Sequence, residues 1–218
     1  ADTDGINVNI NKEKLFNKYK INKNNLTIVH GGKITTEKQI DRVLKAFSYI
    51  DNKNITFILF GKIEDENVKK LIEKDKRVIN LGWLNRAETL AILKYSDIGI
   101  WNTQHTTLLE DSIAVGLPMI LRYYGSTSHL IDNSGLFLYD GSVREIYDKL
   151  KFLIDNKEIL IEFKTNTLLL SNILSYNSVA EESLNYKNDI NMKGKYNKYL
   201  EKKYSCTEFE YFRKIKRK

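Results

Sequence analysis

Short runs of apolar, β-favouring residues alternate along this chain with segments whose apolar residues recur at helical spacing. The runs are LTIVHGG (26–32), ITFILFG (55–61), RVINLG (77–82), DIGIWN (97–102), residues 118–122 and GLFLYD (135–140). Between them lie KQIDRVLKAFSYI (38–50), DENVKKLIEK, RAETLAILKYS (86–96), a segment over roughly 107–116, and another from Ser142 to about Ile154. In the first of these, Ile40, Val43, Leu44, Phe47 and Ile50 fall on one helical face. A strand that is apolar throughout needs cover on both sides, and a parallel sheet flanked by helices supplies it. Right-handed crossovers then make the predicted fold α/β, a Rossmann-like doubly wound parallel sheet. Ligands bind such sheets beyond the carboxyl ends of the strands, so the residues after each strand are the ones to inspect.

Three strand ends carry polar residues of interest. The first run leads into HGGKITTEK, with Gly31 and Gly32 followed by Lys33 and Lys38. Paired glycines let the backbone turn sharply and approach a ligand closely. Two lysines beside that turn can neutralise a diphosphate as point charges; the same residues also read as a simple turn with solvated lysines. After the fourth strand comes NTQHTTLLEDSIAVG, where Thr107 and Glu110 have the spacing of a capping box. A helix starting there turns its N–H groups toward the strand ends, where anions bind. Asp111, one turn in, is placed to accept hydrogen bonds from ligand hydroxyls such as those of a ribose, or to compensate the helix dipole. Gly116 is expected to end this helix, and Pro118, the chain's single proline, to stop it from continuing. As the first residue of a strand, that proline forfeits no essential ladder bond. After the fifth strand, Gly125-Ser126-Thr127-Ser128 forms a hydroxyl-rich turn that can hold phosphate or sugar oxygens. The three histidines, His30, His105 and His129, lack metal-ligand spacing, so no metal is expected.

Composition narrows the partners. The net charge of +7 is concentrated in residues 187–218, which hold eleven Lys/Arg against four Asp/Glu, while the rest of the chain holds 24 of each. Tyr and Phe interleave with that basic tail, which suits anionic lipid, nucleic acid or an acidic partner, or a terminal helix pair docked on a neighbouring domain. No base-reading motif accompanies the charge, so nucleic acid is not the expected partner. No apolar run approaches the length of a membrane-spanning helix, and ADTDGINVNI has neither the basic region nor the apolar core of a signal peptide. That start also lacks an initiator Met, as a processed product or excised fragment would. A single cysteine, Cys206, rules out an internal disulfide and fits a reducing compartment.

The segments GGKITTEKQIDRVLKAF, ITFILFG, VINLGWLNRAETLAILKYSDIGIWNT, LLEDSIAVGLPMI and YYGSTSHLIDNSGLFL occur in an order that resembles the C-terminal, donor-binding half of GT-B glycosyltransferases, specifically the retaining enzymes of glycosyltransferase family 4. The resemblance covers roughly residues 5–180, and DGINVNINKEKLFNKYKI is similar to the segment that follows the interdomain linker in that family. Its most specific piece is the acidic-small-x-Ala-x-Gly-x-Pro pattern at 111–118. It implies a nucleotide-sugar-binding domain over 1–180, a basic, aromatic-containing helical tail over 181–218, and a nucleotide diphosphate-sugar donor, with no metal or other cofactor.

By the same resemblance, Lys33 stands where the family usually has an arginine, and Lys38 matches the family lysine. Both would hold the donor diphosphate and stabilise the leaving group. Gly32 and the helix start at Thr106, Thr107 and Leu108 would approach the phosphates through the backbone. Asp111 corresponds to the second Glu of the family's Glu-x7-Glu motif, expected at the ribose. The first would fall at Thr103, which carries no carboxylate. His105-Thr106 replaces the usual Phe-Gly, with His105 a candidate sugar contact, and Tyr124-Gly125 replaces Gly-Gly, leaving Gly125 and Ser126 as loop candidates. Lysine at 33 also lacks the fork geometry of arginine.

The expected function is therefore the donor half of a bacterial polysaccharide-type transferase moving a sugar onto a glycan or glycolipid. Nothing ahead of Gly5 could supply an acceptor domain, so the isolated chain is expected to bind donor weakly and transfer little. The location implied is cytoplasmic, with the tail able to meet the inner membrane face. The alternative is a non-catalytic Rossmann-like binding or scaffolding module.

Overall fold

A β-rich core of apolar strands organises the chain, as a computed structural model describing residues 1–3, 8–104, 106–125, 127–131 and 133–185 shows. The strands are β1 (Leu26–Gly31), β2 (Ile55–Phe60), β3 (Val78–Asn80), β4 (Ile98–Trp101), β5 (Met119–Arg122) and β6 (Gly135–Leu138). The helices are α1 (Lys12–Lys18), α2 (Ile40–Ser48), α3 (Glu66–Lys74), α4 (Arg86–Tyr95), α5 (Leu108–Ala114), α6 (Val143–Asp155), α7 (Lys157–Ile173) and α8 (Tyr176–Asn185). All strand pairs are parallel, in the order β3-β2-β1-β4-β5-β6. This is the Rossmann-like α/β sheet that the apolar runs predicted.

Strand pleating divides the core. In β2, Ile55, Phe57 and Leu59 pack with Ile40, Val43, Phe47, Ile146 and Leu150 of α2 and α6. Ile58 and Phe60 point the other way, to the layer containing Leu90 and Leu93 of α4 and Leu109 and Ile113 of α5. Both layers exclude water, which is why an uninterrupted apolar run is stable in β2 and would not be at a sheet edge.

Helix α5 ends as its glycine and proline dictate. Gly116 takes φ +76°, its N–H bonds to Ile113 O at 3.0 Å, and the Leu117 N–H bonds to Ser112 O at 2.8 Å, a Schellman closure. Pro118 then gives β4 its carbonyl, accepting from the Gly99 N–H at 2.8 Å. The start of α5 departs from expectation. Thr107 is itself helical (φ −58°, ψ −20°) and its side chain caps nothing. A capping side chain needs an extended N-cap residue, and the Leu109 N–H instead bonds to Thr106 O at 3.0 Å, drawing Thr107 into the first turn.

Two helices, α1 and α7, went unread in the sequence, and α8 overlaps the start of the helical tail expected over 181–218. Helix α1 begins at Asn11, whose side chain accepts from the Lys14 N–H, and buries only Leu15 and Phe16. Helices α7 and α8 follow α6 with little interruption, α7 burying Thr167, Leu170 and Ser171. The basic part of the tail, from 186 onward, lies outside the described residues. No described helix is long and apolar enough to cross a membrane.

Candidate functional site

The strand order reverses between β1 and β4, the place where a doubly wound sheet opens a crevice at its carboxyl edge. The two strands pair only at Ile28 with Ile98 and Val29 with Gly99, whereas β1 and β2 pair along their whole length. Side chains take over beyond that point. The His30 Nδ1 lies 2.7 Å from Ile100 O, and Trp101 Nε1–H donates to Gly31 O at 3.2 Å. The two rings sit 5.9 Å apart between the diverging strands.

A carbonyl can only accept, so His30 carries its proton on Nδ1 and donates it to Ile100. Burial pushes the imidazole down to about 4, with the Ile100 carbonyl opposing and the Lys38 charge adding to the shift. Its Nε2 is buried without a hydrogen-bond partner. His30 thus enters the fold neutral, as a wedge below the site.

Gly32 follows, at φ +113°. A Cβ built there would lie 3.3 Å from Lys38 Nζ and 3.6 Å from Leu108 Cδ1. Gly32, Lys38 and the first residue of α5 therefore share one neighbourhood. Lys38 closes a 3₁₀ turn over Thr36–Lys38 and is half-buried. Desolvation lowers its pKa, and the charge of Lys33 lowers it further. Among the described residues no carboxylate or hydrogen-bond acceptor pairs with it. Lys33 is more exposed and pairs with Glu64 at 3.1 Å.

Asn102, the residue just before the expected motif acid position Thr103, anchors this loop. Its Nδ2 donates to Gly141 O at 3.0 Å and to Gln39 Oε1 at 3.2 Å. Gln39 adjoins Lys38 in a left-handed conformation (φ +52°) and also accepts from Arg42 Nη1 at 3.2 Å. A buried amide just past the end of β4 thereby ties down the turn that carries the lysine.

The other expected residues are less tightly gathered. Asp111 is nearly buried in a bidentate ion pair with Arg86 of α4, the Nη2–Oδ1 contact being 2.7 Å and the second joining Nη1 to Oδ2. Thr103 and Thr106 are partly buried on the segment after β4, and Thr107 lies in the first turn of α5. Gly125 is exposed in the turn after β5, two strand spacings or about 10 Å along the rim from β1. His105 and Ser126 lie outside the described residues. No group of three His, Cys, Asp or Glu side chains clusters as a metal site among the described residues.

His30, Asn102, Arg86 and Glu64 were not singled out as site residues in the sequence. His30 and Asn102 had a usable signal: each is a polar residue closing an otherwise apolar strand. Arg86 and Glu64 had none, because their partners are 25 and 31 residues away in the chain.

The fold is shared with solved glycosyltransferases. A glycosyltransferase from Rickettsia africae superposes with a TM-score of 0.72 at 16% identity, over 89% of this chain and 56% of that one. Anabaena Alr3699/HepE, solved with UDP and glucose, gives 0.68 at 16% identity, over 85% and 55%. The C-terminal domain of the Francisella tularensis glycosyl transferase group 1 family protein LpcC gives 0.67 at 18% identity, over 80% of this chain and 97% of that domain. The chain thus spans about half the length of the first two proteins. None of the curated proteins compared with it matches. The model of one family, glycosyl transferases group 1, matches residues 11–168, which is most of the sequence, and the chain belongs to that family.

Proposed function

We propose that this chain is the donor-binding half of a retaining, family 4 glycosyltransferase that moves a hexose-type sugar from a nucleotide diphosphate carrier to a glycan or glycolipid. The observation that carries the reading is Lys38: a half-buried ammonium with no carboxylate partner among the described residues, set against a glycine at the reversal point of a parallel sheet. Partly desolvating a cation without a partner is unfavourable, and an anion bound beside it offsets that cost. A donor pyrophosphate fits that role, and the UDP held by Alr3699/HepE supports the same class of ligand.

Lys38 and Lys33 neutralise the diphosphate as the sugar–oxygen bond breaks and negative charge collects on the leaving nucleotide. Gly32 lets the backbone approach the phosphates, with Thr106, Thr107 and Gly125 lining the rim. His105 and Ser126 are carried as candidates from the sequence alone. Asp111 accepts from ribose hydroxyls while the bidentate contact with Arg86 holds it oriented. Residues 1–180 form the donor domain, 181–218 are the tail that meets a membrane surface, and an acceptor-binding domain completes the cleft. Cytoplasmic donors would reach such a site from the inner face.

One observation favours a second reading, a binding module without turnover. Thr103 offers no carboxylate at the expected sugar contact, and Arg86 already occupies both oxygens of Asp111. Calorimetry decides between binding and none: UDP or GDP is expected to bind in the micromolar to millimolar range, with Lys38→Ala weakening it at least tenfold. Absence of binding by both nucleotides at millimolar concentration refutes the donor site. Turnover of a nucleotide-sugar panel by a protein containing both halves then separates enzyme from module.

A further inference from the structure

The loops after β1 and β2 are joined beyond the ends of their strands. The Ile34 N–H bonds to Lys62 O at 2.9 Å, the Glu64 N–H returns to Ile34 O at 3.0 Å, and Ile34 pairs with Ile63 in parallel. Thr36 Oγ1 adds a bond to Asp65 Oδ2 at 3.0 Å. This zipper sets Glu64 beside the phosphate loop, where each of its oxygens takes one ammonium: Oε2 from Lys33 and Oε1 from Lys62, both at 3.1 Å. Hydrogen bonds from Lys33, then Lys62, hold the carboxyl below the usual range for Glu, so it is an anion at neutral pH.

We propose that Glu64 is a built-in stand-in for the donor diphosphate, an internal anion that engages Lys33 until the nucleotide displaces it and so limits how tightly any diphosphate is held. This rests on the donor-site reading above. Lys33 is largely exposed, at 60%, and Glu64 partly so, at 34%. Exposed ion pairs such as these two are weak enough to exchange with a ligand of higher charge. Lys38 has no such carboxylate, so the two lysines divide the work: Lys38 provides standing attraction and Lys33 is switched in on binding. A site that releases its nucleoside diphosphate after transfer gains from this arrangement, since the carboxylate recaptures Lys33 as product leaves.

The test is calorimetric titration of the full 218-residue chain with UDP and, separately, inorganic pyrophosphate, at 20 mM and 300 mM salt. Glu64→Gln, which keeps the side-chain shape, is expected to bind both ligands about three- to fivefold tighter at low salt. The gain shrinks at high salt, where screening weakens both the repulsion and the competition. Lys62→Ala, which leaves Glu64 to Lys33 alone, is expected to bind about twofold more weakly. Unchanged or weaker binding by Glu64→Gln, with Lys38→Ala still deficient, overturns the stand-in role and leaves the donor site standing. Failure of all forms, wild type included, to bind either ligand overturns both. Tightening by UDP alone, without pyrophosphate, also overturns it, because displacement acts on the phosphates.

Discussion

His30 offers a direct measure of how dry the sheet is beneath the site. Its ring is fully buried, donates to Ile100 O and is pushed down to about 4 from an ordinary histidine value near 6.5. The unfolded chain therefore binds a proton at mildly acid pH that the folded chain refuses. With the unfolded state holding more protons, stability rises with pH, and it is lost as pH falls from about 6.5 toward 4. Between pH 7 and pH 5 the two values imply a loss of about 2 kcal/mol from this one residue. Urea unfolding followed by circular dichroism at half-unit steps gives the curve, and His30→Asn removes the titration. The Asn amide can still donate to Ile100 O, so the variant starts less stable, through lost ring volume, but with a flatter pH profile. Carboxylates titrate alike in both proteins, so the difference between the curves isolates the imidazole. Parallel loss of stability in the two proteins from pH 7 to 5 would refute the buried neutral wedge, since His30 would then titrate as if in water.

Two further substitutions probe the frame of the site. Arg86→Ala leaves the nearly buried carboxylate of Asp111 without its bidentate partner. Because Arg86 is itself more than half exposed, the expected cost is about 1–2 kcal/mol, read as a lower urea midpoint with unchanged slope; no change would mean water replaces the guanidinium. Gly116→Ala forces φ +76° on an alanine and sets its Cβ 2.5 Å from Leu168 Cδ2. A drop of about 1–3 kcal/mol in thermal or urea stability is expected, and a neutral result would show that α7 shifts freely against α5.

Much of the frame was legible because its causes are local. An apolar run such as ITFILF must be a strand covered on both faces, and Gly116 with Pro118 end a helix through their own backbone limits. Ser142 and Glu145 likewise set the start of α6: Ser142 Oγ accepts the Glu145 N–H, and the Glu145 carboxylate accepts from Tyr139, Asp140 and Gly141. The same signature failed at Thr107, where a backbone turn from Thr106 outcompeted the side chain. Helix α1 was missed because only two of its seven residues are buried, too few to produce a periodic signal.

What the sequence by itself determined is the parallel, doubly covered sheet and the rim on which chemistry would sit, since both follow from side-chain periodicity and from the dihedral limits of Gly and Pro. Tertiary structure alone decided how that rim is wired. The splay of β1 from β4 around His30 and Trp101, the capture of Asp111 by Arg86, the clamp of Asn102 on Gln39 and the pairing of Glu64 with Lys33 join residues 25 to 70 positions apart. A hydrogen bond or ion pair is fixed by distance in space, and separation along the chain carries no record of it until the crossovers have closed.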